Sequence, residues 1–207
     1  MGLGGILQRL KTEGVLALYH DYRSGTLLDL SGNGHNGVGT DIAFIKNGIM
    51  QTSANSLIAV TSSALLEGTS GCLLFRVKKT SPTTTWIMTK KSGANYQFRV
   101  TVDNTQMSFR DSSASPYPDI TTPTDGVRTL GINFATGGIP TGWKDGIYLG
   151  VFDDTATITP NNGNLEVGND GSGVGVIGTL YYYFVWITRV LTAAEHQEIY
   201  QQLQALS

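Results

Sequence analysis

Residues 178–200 read GTLYYYFVWITRVLTAAEHQEIY. After the opening glycine, TLYYYFVWIT at 179–188 is built almost wholly from aromatic and β-branched residues. That is the composition of a strand buried on at least one face. Thr192-Ala193-Ala194-Glu195 then spells a capping box. In such a box the Thr oxygen accepts from the backbone N–H three residues on, and the Glu reaches back. Ile199, Leu203 and Leu206 follow at helical spacing. A long strand running into an amphipathic helix packed on the same body is therefore expected at this end of the chain.

Upstream, many short apolar runs are separated by Gly, Asn, Asp or Pro turns. The expected strands are 15–22, 42–45, 48–51, 57–60, 72–78, 84–90, 96–102, 106–110, 127–134, 143–150 and 165–168. Regular alternation of strand and helix is absent, which argues against a doubly wound α/β fold and for an all-β sandwich or barrel. The stretch 112–126, SSASPYPDITTPTDG, holds three of the six prolines and reads as a long surface loop. No linker is long enough to divide the chain, so residues 15–207 are read as one domain. Residues 1–14, MGLGGILQRLKTEG, place Ile6, Leu7 and Leu10 on one face of a short helix and are read as a separate anchor segment.

Only 14% of the 207 residues are charged, against about a quarter in ordinary domains. Gly, Ser, Thr and Asn fill the gap, as tight turns require. Fourteen basic and sixteen acidic residues leave a net charge of -2. Without a concentrated basic footprint, nucleic-acid binding is not expected. No apolar run reaches membrane-spanning length, nor does the N-terminus carry the apolar core of a secretory signal. The single cysteine, Cys72, rules out a disulfide within the chain and reads as a buried strand residue.

Three segments carry a resemblance. The first is VLALYHDYRSGTLLDLSGNGHNGVG at 15–39, with Ser24-Gly25-Thr26, Asp29, Ser31-Gly32-Asn33-Gly34 and Asn36-Gly37. The second is Trp143-Lys144-Asp145-Gly146. The third is LEVGNDG at 165–171 with the closing strand and helix at 178–200. In this order they resemble the laminin-G-like, concanavalin-A-like lectin family. The resemblance implies a two-sheet antiparallel jelly-roll sandwich, which the count of short strands also suggests, and it implies a structural or ligand-bridging calcium.

Glycoside hydrolysis needs two carboxylates across the sugar, which on a strand would appear as acids at i and i+2. None of the five Glu has an acid two positions away. His20, His35 and His196 stand in no recognised nucleophile setting and read as solvated or core-edge residues. Gly173-Val-Gly175-Val-Ile-Gly178 matches the dinucleotide fingerprint in letters, but a strand follows where a helix N-terminus is needed. No zinc spacing exists. Asp29 and Asp170, in turns, are the candidate calcium ligands. Tyr117 and Trp143 are the candidate sugar-stacking platforms among a set that includes Trp86, Tyr148 and Trp186.

The expectation is a non-catalytic binding or assembly module. One form of it is a structural protein of a phage particle, a capsid decoration or tail component, made in the host cytoplasm. It would dock on a protein partner or a second copy through the N-terminal helix. The other is a free carbohydrate-binding lectin, calcium-dependent if the implied site is filled.

Overall fold

The computed structural model describes residues 5–80, 84–93, 95–103, 106–111, 119–121, 126–152, 155–169 and 175–205. A helix, α1 (Gly5–Thr12), precedes the strands β1 (Leu16–Asp21), β2 (Gly37–Thr40), β3 (Ile42–Ile45), β4 (Gly48–Gln51) and β5 (Leu57–Val60). Next come β6 (Ser70–Lys78), β7 (Thr85–Ser92), β8 (Asn95–Val102), β9 (Gln106–Asp111) and β10 (Asp119–Thr121). The chain continues through β11 (Val127–Ala135), β12 (Thr141–Lys144), β13 (Ile147–Val151), β14 (Leu165–Val167) and β15 (Leu180–Ile187) to α2 (Ala193–Ala205). The fold is the expected two-sheet antiparallel sandwich with a short helix at each end.

The first sheet runs β13-β12-β11-β6-β15-β4-β3, and β1 also pairs with β15. β4 takes residues 180–181 of β15, while β1 takes 183–187. The second sheet runs β10-β9-β8-β7-β14-β5-β2. Between them lies an apolar core in which alternate residues of each strand interdigitate. Phe98 lies 5.2 Å from Trp186 and 5.6 Å from Phe134, ring centre to ring centre.

The first sheet is apolar on its other face as well. Tyr19, Cys72, Leu74, Tyr183, Val185 and Ile187 point away from the main core and form a second one with Ile6, Leu7 and Leu10 of α1 and Ile199 and Leu203 of α2. Within residues 1–14, read as a helical anchor segment, the helix forms at Gly5–Thr12. The apolar face of α1 is buried against its own sheet, with Ile6, Leu7 and Leu10 each 0% exposed. Polar contacts pin the two helices together. Arg9 reaches Glu195 at 3.3 Å and Glu198 at 3.7 Å, and Arg189 bridges Glu13 at 3.2 Å and Glu195 at 2.6 Å. The capping box forms as read, with the Glu195 N–H donating to Thr192 Oγ1 and the Thr192 N–H donating to Glu195 Oε2.

Most strand boundaries fall within two residues of the sequence reading, but 143–150 is not one strand. Asp145 (φ 51°) and Gly146 (φ 79°) are both left-handed, and the chain turns back there as a two-residue hairpin between β12 and β13. β2 was expected as a turn; its pairing with β5 overrides the poor strand propensity of its glycines.

If α1 is integral, Leu10→Ala removes a packed side chain from the second core. Urea denaturation should then show a loss of about 2–5 kcal/mol; an unchanged midpoint would mean that the helix is a dispensable appendage.

Candidate ligand-binding face

Helices cover the first sheet, so the outer face of the second sheet is the broad β surface that no helix covers. In β8, Phe98, Val100 and Val102 enter the core, which turns Arg99 and Thr101 outward. In β9, Met107 and Phe109 enter the core and turn Ser108 and Arg110 outward. The register then sets outward residues side by side. Glu166, Thr89, Arg99 and Arg110 form one row across β14, β7, β8 and β9. Trp86, Thr101 and Ser108 form the next.

The rows are joined by rings. The Arg99 guanidinium lies 4.1 Å from the centre of the Trp86 ring and 5.3 Å from that of Tyr96. Arg110 and Lys91 each stand 5.8 Å from the Tyr96 ring. Arg99 and Arg110 are direct cross-strand partners, an unfavourable pairing of like charges that the negative ring faces offset. A guanidinium packed over a ring is restrained in the orientation of its planar fork. The floor is sheltered: Arg99 is 9% exposed and Thr89 0%. Thr89 Oγ1 is buried with no hydrogen-bond partner, an unmet polar group in the floor of this face. Aromatic edges, a restrained cationic fork, hydroxyls and one carboxylate are the groups that recognise a polyhydroxylated ring.

The residues singled out from sequence fall elsewhere. Trp143 is 7% exposed, with its ring stacked on His196 at 4.1 Å and met edge-on by Tyr148 at 5.2 Å. It offers no free face and is corrected as a platform. Trp186 is in the main core and Tyr148 lies at the sheet edge. Tyr117 and Asp170 lie outside the described residues. Sequence reasoning missed Arg99; alternation along β8 is a signal for its outward face, but only strand register brings Trp86, Tyr96 and Arg99 together.

Asp29 organises the opening loop. Its Oδ1 accepts from the Tyr19 N–H at 3.1 Å and the Ser31 N–H at 2.9 Å. Its Oδ2 accepts from Ser31 Oγ at 2.8 Å and the His35 N–H at 3.0 Å. Burial pushes its pKa up, but these donors outweigh burial and hold it below the usual carboxylate value. All four acceptor positions of the carboxylate are filled by the protein, so the candidate cation ligand acts as a loop clamp. Among the described residues no group of three or more His, Cys, Asp or Glu is placed to hold a metal.

Two other constellations have the outline of catalytic groups. Cys72 Sγ lies 3.9 Å from His196 Nε2, which lies 3.2 Å from Asn133 Oδ1. This trio is sealed between the first sheet and α2. Burial pushes the Cys72 thiol well up and the His196 imidazole down to about 3, so both are neutral at pH 7. In addition, His35 Nε2 lies 3.1 Å from Ser63 Oγ. No hydrogen bond orients His35 Nδ1 among the described residues, so a base held by a third group is missing from this pair. His20 and His196 are fully interior, at 0% and 1% exposure, and not core-edge or solvated as read from sequence.

No family model matches the chain. No curated protein matches it either. Solved structures do. The binding domain of Paraclostridial Mosquitocidal Protein 1 superposes with a TM-score of 0.72 at 15% identity, covering 93% of this chain and 53% of that one. A Trypanosoma rangeli sialidase in complex with 2,3-difluoro-KDN gives 0.73 at 11% identity, covering 94% of this chain and 33% of that one. Domain 4 of an extracellular GH43 arabinanase from Geobacillus stearothermophilus, solved with arabinotriose, gives 0.69 at 18% identity, with coverage of 90% and 98%. The chain spans about half the length or less of the first two. At these identities the likeness establishes the β-sandwich fold.

Replacing Asp29 by Asn puts an amide nitrogen against backbone donors. The variant should lose about 1–3 kcal/mol, and added calcium should not restore it. Because the Asp29 pKa is lowered in the folded chain, its contribution is present above the ordinary carboxylate value and fades as pH falls through the lowered one. Stability of the Asn variant should therefore fall less steeply on acidification below pH 4 than that of the parent. Equal acid slopes, or rescue by calcium, would contradict the clamp.

Proposed function

We propose that the chain is a non-catalytic carbohydrate-binding module of the laminin-G-like lectin kind. Its binding surface is the helix-free face of the second sheet around Trp86, Tyr96, Arg99 and Glu166. The observation that carries this reading is the Arg99 guanidinium held between two aromatic rings beside a buried, unpartnered Thr89 hydroxyl. Pre-oriented donors at low conformational cost are what a weakly binding polar ligand needs.

Two of the similar structures support the reading by their stated roles. One is a binding domain, and the other is an arabinanase domain solved with a bound oligosaccharide. Calcium has no assigned part, since Asp29 is occupied by backbone and hydroxyl donors. The other reading, a phage capsid decoration or tail component, is motivated by the low charge, the Gly-, Ser-, Thr- and Asn-rich composition and docking through the N-terminal helix. The apolar face of that helix lies in the second core, so docking through it would have to use its exposed polar face, and the carbohydrate reading is preferred.

A glycan array should return a defined set of binders for the parent chain. Trp86→Ala should weaken the best of them about tenfold or more, with circular dichroism unchanged. An array without binders, or an affinity indifferent to Trp86, would contradict the proposal.

A further inference from the structure

Two arginines flank Tyr183 on the outer face of the first sheet, and their surroundings differ. Arg23 has its guanidinium 5.7 Å from the Tyr183 ring and is fully engaged. It donates to both Asp21 oxygens, at 2.7 and 2.8 Å, and to the Leu203 carbonyl at 3.1 Å. Arg76, the cross-strand partner of Tyr183 on β6, lies 5.7 Å from the Tyr182 ring, yet its Nε and Nη1 are buried without an acceptor.

The polar groups nearby make their hydrogen bonds to other residues, and none is bonded to Arg76. Thr129 Oγ1 is 2.8 Å from the Tyr183 hydroxyl. The Asp145 carboxylate accepts the Thr129 N–H at 2.9 Å. Two residues along the same face of β6, Lys78 is exposed. No carboxylate of the described residues stands within ion-pair distance of Arg76 or Lys78. The row Val185–Leu74–Gly131 on this face is covered by α2, whose His196 lies over Gly131. The row Tyr183–Arg76–Thr129 is the next one along.

A buried donor without an acceptor costs stability, and a chain of net charge -2 has acids enough to pair its cations. Two neighbouring cations without a carboxylate among the described residues suit an anion from outside the chain. We propose that Arg76 and Lys78 form an oxyanion-binding site on the outer face of the first sheet, taking a sulfate, phosphate or carboxylate group carried by a ligand. The side chain lying on Tyr182 is the unliganded arrangement. Turning outward releases both buried donors and brings the planar fork beside the Lys78 ammonium, where it meets two oxygens of one group. The site is on the opposite sheet from the proposed glycan face and stands or falls independently of it.

Thermal melting in chloride and in millimolar sulfate, at equal ionic strength, tests the site. Sulfate at ten times its dissociation constant should raise the melting temperature of the parent chain by about 3 °C. Arg76→Gln should lose that shift and, without sulfate, melt at or above the parent temperature. Lys78→Gln, at an exposed position, should keep the fold and lose most of the shift. The proposal is overturned if sulfate and chloride act alike on the parent, or if Arg76→Gln retains the shift. Should Arg76→Gln fail to fold, the Lys78→Gln comparison decides in the same two ways. Binding of a sulfated oligosaccharide, set against flotation with phosphatidylserine vesicles, then separates a saccharide source of the oxyanion from a lipid one.

Discussion

The burial of both faces of the first sheet is the constraint on which the rest of the structure depends. A sheet in a sandwich ordinarily turns one face to the core and one to water. Here β1, β6 and β15 are apolar on both, and their second face needs its own cover. Both ends of the chain provide it. α1 precedes the strand that pairs with β15, α2 follows β15 directly, and the two meet over Leu74, Val185 and Ile187. Arg189, at the exit of β15, joins Glu13 of the segment after α1 to Glu195 of α2. Its bidentate contact holds the Glu195 carboxyl down at about 2, so the link persists through mildly acidic conditions.

This division of labour gives the two outer faces different surroundings. On the covered sheet, the histidine ring stacked on Trp143 packs closely over Gly131. A Cβ at Gly131 would stand 3.1 Å from the His196 ring. The helix-free sheet carries polar and aromatic residues on its outer face, with Thr89, Arg99, Thr101 and Ser108 closely packed among their neighbours. Lys90, in the same sheet, shows how the chain supplies its own internal cation. Its ammonium donates to Ser62 Oγ at 2.8 Å and to the carbonyls of Asn161 and Gly163 at 2.9 and 2.6 Å, tying the 161–163 segment to β7. Burial lowers its pKa to about 8, against the pull of Glu67.

What could be read in the sequence is what local physics determines. The capping box at 192–195, the long strand before it and the alternating runs of β8 and β11 follow from composition and period. The hairpin at Asp145-Gly146 was hidden because apolar residues continue on both sides of the turn. The role of Asp29 was hidden because its donors come from residues 19, 31 and 35, which only the folded loop brings together. The fate of α1 was equally invisible. An amphipathic face predicts burial but not the partner, and the same three residues serve an external anchor or an internal lid. The Trp86–Arg99–Tyr96 cluster depends on register across a bulge at 86–88, a long-range property with no local signature.

The most direct test of the account is amide chemical-shift mapping with the best oligosaccharide found for the chain. The account predicts shifts concentrated at the outward residues of β7, β8, β9 and β14, with Trp86, Thr89, Arg99 and Glu166 among them and the two helices silent. Shifts confined to α1 and α2, or to the sheet edges, would contradict the assignment of the helix-free face as the binding surface.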